Sequence, residues 1–146
     1  MFNKAQLKER YQKVIDYLNE PPHTVLLTAG GALVMMGLRE QTEDLDLDIP
    51  ESVYNWCAGN HPVVEGLGGV SYVRMGNDVS FQKGIEERGL VCIEGVWCYS
   101  PREMIHQKRW LATHPGRTES KRDQDLMDIR QLESLSNATK FTARSV

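Results

Sequence analysis

The segment Thr42-Glu43-Asp44-Leu45-Asp46-Leu47-Asp48-Ile49 constrains the fold more than any other stretch of this chain. Aspartate alternates with a branched apolar residue over three cycles, and Pro50 stops the pattern. A period of two is the period of a strand, whose successive side chains point to opposite faces. Leu45, Leu47 and Ile49 therefore enter a core, while Asp44, Asp46 and Asp48 line the other face. Residues two apart on such a face lie roughly 6.6 Å from one another. Aspartate is depleted from strands, and like charges this close repel. A hard divalent cation would relieve that repulsion. Oxygen-only ligands point to Mg²⁺ or Mn²⁺, and Mg²⁺ combines one or two protein carboxylates with substrate phosphates. The plainer alternative is a solvated strand face, although such faces usually mix Lys, Thr and Glu. A calcium loop is disfavoured by the absence of EF-hand spacing.

Around this strand the chain punctuates itself clearly. Leu7, Tyr11, Val14 and Leu18 recur at helical steps, so Lys4 to Glu20 reads as an amphipathic helix with Asn3 as N-cap and Pro21-Pro22 as its stop. Thr24 to Thr28 reads as a short buried strand. Ala29-Gly30-Gly31 follows it, and Ala32 to Arg39 suits a short helix. Glu51 to Ala58 is a further helix candidate. Val70–Met75, Val79–Gln82, Leu90–Glu94 and Val96–Tyr99 are strand candidates separated by Gly-containing turns. Ser100-Pro101-Arg102-Glu103 carries an N-cap, a proline at the first helical position and a capping-box glutamate, opening a helix to about Thr113. Pro115-Gly116 breaks it, and Glu119 to Ser134 forms a last helix. The expected architecture is α+β (mixed α/β), a mixed twisted sheet flanked by helices. Residues 1–135 are expected to form one domain and residues 136–146 a polar tail.

Length and composition narrow the class. The chain has 146 residues, of which 40% are hydrophobic and 25% charged, enough for one core without staples. Its longest apolar runs are far shorter than the roughly 20 residues a spanning helix needs. The net charge of −3 gives no global pull toward nucleic acid. Cys57, Cys92 and Cys98 are odd in number and lack CxxC spacing, which argues against zinc or a disulfide framework. Together with the charged N-terminal segment, they fit a reducing cytoplasm. The four histidines show no metal spacing and are expected at the surface. The three tryptophans are too scattered for a stacking platform.

Gly30-Gly31, between an apolar strand and a helix, would let the backbone approach a phosphate, though such a pair is often only a tight turn. No Walker A or Rossmann pattern surrounds it. Taken together, Leu27-Thr28-Ala29-Gly30-Gly31, then Arg39 and Thr42, then Asp44-Leu45-Asp46-Leu47 resemble the signature of the DNA polymerase β-like nucleotidyltransferase superfamily. The Arg and Thr just before the aspartates resemble its minimal AbiEii/MenT-like members. Gly95-Val96-Trp97, Lys108, Arg117, Lys121 and Asp125-Leu126 are similar to that family's C-terminal half, so the resemblance spans residues 26–132.

The resemblance implies a nucleotidyltransferase fold and Mg²⁺-dependent (or Mn²⁺-dependent) transfer of an NMP from an NTP such as ATP to an acceptor hydroxyl. The acceptor would be an RNA end, a protein or a small molecule. It implies Asp44 and Asp46 as metal-holding catalytic residues, Gly30 and Gly31 as the phosphate cradle and Lys108 beside the triphosphate. Arg39, Thr42, Lys121 and Asp125 follow as nucleotide-site residues, with Arg117 as a further phosphate contact. A third carboxylate is expected on a later strand, with Asp78 the first candidate and Glu94 the second. Asp46 and Asp48 form a second Asp-x-Asp register, but Thr42 favours the Asp44–Asp46 one. Lys108 also reads as an ordinary solvated lysine, and Asp125 with Asp128 as a charged helix face. A catalytically inactive module of the same fold, binding NTP or a partner protein, and a plain domain with a solvated acidic strand are the competing readings.

Overall fold

In the computed structural model, which describes residues 1–84 and 89–137, the two faces of the alternating strand divide the molecule. This strand, β2 (Leu45–Ile49), buries Leu45, Leu47 and Ile49 almost completely, while Asp46 and Asp48 stay partly accessible on the other side. Beside it runs β1 (Leu26–Thr28), antiparallel, with Leu27 opposite Leu47 and Thr28 opposite Asp46. Helix α1 (Lys4–Leu18) is capped by Asn3, whose side chain accepts from the Gln6 N–H in a reciprocal capping box. Helix α2 (Ala29–Met35) packs on β1 and β2. It begins three residues earlier than expected, so Gly30 and Gly31 lie in its first turn and not in a loop before it. The reason is contact: a Cβ on Gly31 would come within 2.9 Å of the Leu27 side chain. Glycine thus lets the helix seat directly on the strand.

The remaining elements complete a seven-stranded mixed sheet. They are α3 (Glu51–Ala58), β3 (Val63–Glu65), β4 (Ser71–Met75), β5 (Val79–Lys83), β6 (Leu90–Ile93), β7 (Val96–Tyr99), α4 (Pro101–Thr113) and α5 (Glu119–Ser136). The strand order is β3-β4-β5-β2-β1-β7-β6. Two pairings, β1 with β7 and β2 with β5, are parallel, and the rest are antiparallel. Strand β3 is not expected from the sequence. It is a short, largely exposed edge strand paired to β4 through its backbone, so it carries no hydrophobic alternation to betray it. Helix α5 extends to Ser136, and the rest of the expected polar tail, residues 138–146, lies outside the described residues. None of the helices among the described residues is long and apolar enough to cross a membrane.

Two devices place α4 and α5 over the acidic face. Thr28, opposite Asp46, donates its hydroxyl to Gln107 Oε1 of α4 at 2.8 Å. Arg122 of α5 donates to the carbonyls of Ala112, His114 and Arg117. It thereby ties off the end of α4 and the turn that follows. An Arg122→Ala variant should lose about 2 kcal/mol of stability, the scale of charge-assisted hydrogen bonds to backbone, measurable by urea denaturation.

Candidate active site

Between the acidic face of β2 and the α4–α5 pair lies a cleft of about 730 Å³, within the size range of ligand pockets. Its acidic wall is Asp46 and Asp48. Its cationic wall is Arg39, Lys108, Arg117 and Lys121. The structure thus brings Asp46, Arg39, Lys108, Lys121 and Asp125 to one cavity. Asp44 and Asp78 are not among the residues that line it.

The carboxylates of β2 have different surroundings. Burial pushes the Asp46 carboxyl above the usual carboxylate range, and the neighbouring Asp44 charge adds to this, while Arg74 and Lys108 oppose it. Asp48 is pushed up to about 7, mainly by burial; the Tyr99 hydroxyl donates to its Oδ2 at 2.7 Å and works the other way. Asp44, just ahead of the strand, pairs with Arg74 Nη2 at 3.1 Å. The two third-carboxylate candidates are both engaged elsewhere. Asp78 is held by Arg10 of α1 at 2.8 Å, and Glu94 pairs with Lys4 and Lys8 on the surface. Next to Asp46 on β5 stands Ser80, and next to Asp48 stands Gln82. Among the described residues no group of three or more His, Cys, Asp or Glu side chains could hold a metal. Asp46 and Asp48 do fit a Mg²⁺ whose remaining ligands come from substrate phosphates, because that ion needs only one or two protein carboxylates. Their desolvation supplies the electrostatic reason to take one.

Across the cleft lies a buried ion network. Lys108, which reads from sequence equally as a solvated lysine, is only 7% exposed. Its Nζ sits 3.4 Å from Asp125 and 3.1 Å from Asp128. Asp125 also accepts two bonds from Arg117, both 2.9 Å, and Asp128 accepts from Arg39 and Gln124. The solvated-face reading of Asp125 and Asp128 is therefore corrected: both are 1% exposed. The signal is present in the spacing. Asp125, Asp128, Ile129 and Leu132 form one helical stripe, the buried stripe of α5. Arg74, Ser80 and Tyr99, by contrast, carry no sequence pattern that marks them.

The glycine pair serves this network. A Cβ on Gly30 would lie 2.6 Å from both Arg39 Nη1 and Thr42 Oγ1. Its absence is what lets the Arg39 guanidinium and the Thr42 hydroxyl close over the first turn of α2. Ala29, the first residue of α2, holds a left-handed conformation (φ 55°) at the cleft wall, a strained geometry for a residue with a Cβ. Thr28, the residue preceding α2, makes no side-chain cap for it, since its hydroxyl is turned to Gln107. At the outer rim Trp110, 55% exposed, rests against His114 with ring centroids 5.3 Å apart.

Among solved structures, a crystal structure of ANT(2″)-Ia in complex with adenylyl-2″-tobramycin matches this chain with a TM-score of 0.54, covering 92% of this chain and 90% of that one. This chain has a nucleotidyltransferase fold. The two sequences share 18% identity, and the likeness is one of fold. No family model matches the sequence, and no curated protein matches it.

The surroundings of Asp48 and Gly30 each set a measurable outcome. The folded state holds a proton on Asp48 between about pH 4 and 7 that the unfolded chain has already released. Stability is therefore highest below the unfolded value and falls as pH rises through the folded one. Asp48→Asn should flatten that decline and melt higher than wild type at pH 8, by on the order of 2 kcal/mol, in thermal scans from pH 5 to 8. Gly30→Ala should destabilise by about 1–3 kcal/mol through overpacking and displace Arg39 from Asp128, visible in denaturation curves and in a crystal structure of the variant.

Proposed function

We propose that this protein is a minimal Mg²⁺-dependent (or Mn²⁺-dependent) nucleotidyltransferase that moves an NMP from an NTP to an acceptor hydroxyl. One observation carries the reading: in a nucleotidyltransferase fold, a single cleft sets the Asp46 and Asp48 carboxylates opposite Arg39, Lys108, Arg117 and Lys121. A triphosphate with its metal is the ligand class that satisfies both walls, since phosphates need cations and a divalent ion needs carboxylates. The contact of Gly30 with Arg39 and Thr42 links the three parts of the motif and supports the likeness to AbiEii/MenT-like members of the polymerase β-like superfamily.

The roles of this chain's own groups follow from their surroundings. Lys108 is pinned between Asp125 and Asp128, so its charge is held in place before any ligand arrives. Arg117 and Arg39 are similarly braced, and Lys121 stands in the cleft as a further cation. Such preorganised charge offsets what builds on a leaving pyrophosphate without reorganisation cost. Asp46 anchors the acidic wall, and Asp48, braced by Tyr99, extends it. Bound Mg²⁺ would orient the triphosphate and stabilise the charge of in-line displacement. The acceptor is a hydroxyl of unspecified carrier. The adenylyl-2″-tobramycin held by ANT(2″)-Ia, a nucleotidyl group joined to a small molecule, is one instance of the class.

The second reading is a module that binds NTP or a partner protein without turnover. The engagement of both third-carboxylate candidates by lysine or arginine favours it. Calorimetric titration of the four NTPs, with and without Mg²⁺, into wild type and Asp46→Asn separates the readings when paired with a pyrophosphate-release assay. The expected result is metal-dependent binding of at least one NTP, with release lowered at least 100-fold in Asp46→Asn, the scale of losing one electrostatic catalytic group. Binding without release in the presence of RNA, protein and small-molecule hydroxyl acceptors supports the module. No binding at millimolar NTP overturns the enzyme and the NTP-binding module alike, leaving only a partner-binding domain.

A further inference from the structure

The cleft changes character along its length, and α4 sets the change. Gln107, Trp110 and Leu111 follow one another at steps of three and one, so they share a face of that helix, and all three line the cleft. Gln107 marks the inner end, because it is bonded to Thr28, the residue opposite Asp46. There the walls are charged, with Arg39 and Lys108 both paired to Asp128. Trp110 stands one helical turn further out, roughly 4.5 Å along the axis. With Leu111, and with Leu67 from the turn between β3 and β4, it gives the outer end an apolar lining.

The Trp110 ring is exposed but braced. It lies against His114 with ring centroids 5.3 Å apart. His114 is fixed in turn, since its Nδ1 accepts from the Gly116 N–H at 3.1 Å. The turn between β3 and β4 packs on the same junction: a Cβ on Gly68 would come within 2.9 Å of His114 Nε2, and one on Gly116 within 3.0 Å of Leu67. Gly68 holds φ 67°, a conformation that glycine adopts without strain. Two turns thus meet behind His114 and hold the indole in place at the cleft rim. The three tryptophans are scattered along the chain, yet a single ring is enough to stack a single base.

We propose that Trp110 is the stacking platform for the base of the incoming NTP. The order of surfaces along the cleft matches the order of parts along a nucleotide, with charge at one end and a flat, weakly polar ring at the other. An aromatic side chain presents a face and not a pattern of donors and acceptors, and every nucleobase has a face to set against it. Recognition by Trp110 is therefore tolerant of base identity, and the site accepts all four NTPs. The inference rests on the reading that this cleft binds an NTP, and it adds how the half of the ligand without phosphates is held.

Calorimetric titration of the full chain with each NTP and with tripolyphosphate, all in Mg²⁺, tests this, because tripolyphosphate carries the phosphates and no base. Trp110→Ala should weaken every NTP by about fivefold or more, the low end for losing one base–aromatic stack. The same variant should change tripolyphosphate binding by less than about twofold, since its phosphate contacts are untouched. Trp110→Phe keeps a ring and should stay within about threefold of wild type for the NTPs. Equal weakening of NTPs and tripolyphosphate in Trp110→Ala means that the residue only shapes the cleft, and overturns the inference. Weakening confined to one NTP overturns it too, because the base is then read by its edge. Unchanged NTP binding also overturns it, and a raised acceptor KM in pyrophosphate release would then put the acceptor on the ring. Each of these three results leaves the nucleotidyltransferase reading standing. Absence of binding of any NTP and of tripolyphosphate to wild type overturns the inference together with the NTP site it rests on.

Discussion

The register of β2 is the constraint on which the rest of the molecule depends. A slip of one residue would drive Asp44, Asp46 and Asp48 into the core and expose Leu45, Leu47 and Ile49. The cost of burying three unpaired carboxylates far exceeds what any alternative pairing could return. With β2 pinned, Thr28, Ser80 and Arg74 fall into line with Asp46 across the sheet. Thr28 then orients α4 through Gln107, and Arg74 reaches Asp44. The apolar face meanwhile receives α2, seated closely because Gly31 has no Cβ to meet Leu27.

The second organising element is the charge network between α4 and α5. Burying Lys108, Asp125 and Asp128 costs desolvation, and buried ion pairs of this kind often add little net stability over apolar packing. Here each buried carboxylate has at least two cationic partners, so neither is left uncompensated. What the network secures is placement. It locks cations on one wall of a cleft whose other wall is acidic, and Arg122 holds the turn that keeps the two helices in that relation. Strain at Ala29 and the close approach of Arg39 and Thr42 to Gly30 lie at the same junction. Local rules are broken where a site, and not a core, is being built.

Much of this is legible in the chain. The alternation around Asp46 marks the strand, Asn3 and Ser100 mark helix starts, and the glycine pair with its spacer suggests the fold that the structure shares with a nucleotidyltransferase. The burial of Asp125 and Asp128 is also encoded, since they share the helical stripe of Ile129 and Leu132. Strand β3 is invisible because backbone pairing at an edge leaves no hydrophobic pattern. The start of α2 is hidden because glycine usually interrupts helices; here close contact with Leu27, Arg39 and Thr42 outweighs its low propensity.

By itself the sequence determined the two-faced strand, the helices that flank it and the presence of an acidic row near a glycine turn. Those properties follow from periodicity and capping, which act over a few residues. Only the tertiary structure decided which aspartates meet the cleft, that Lys108 is buried between two carboxylates, and that Asp78 turns to Arg10 while Arg74 takes Asp44. Each of those outcomes depends on a partner 17 to 68 residues away in the chain. Charge pairing at that separation is set by strand register and helix docking, and no local pattern encodes it.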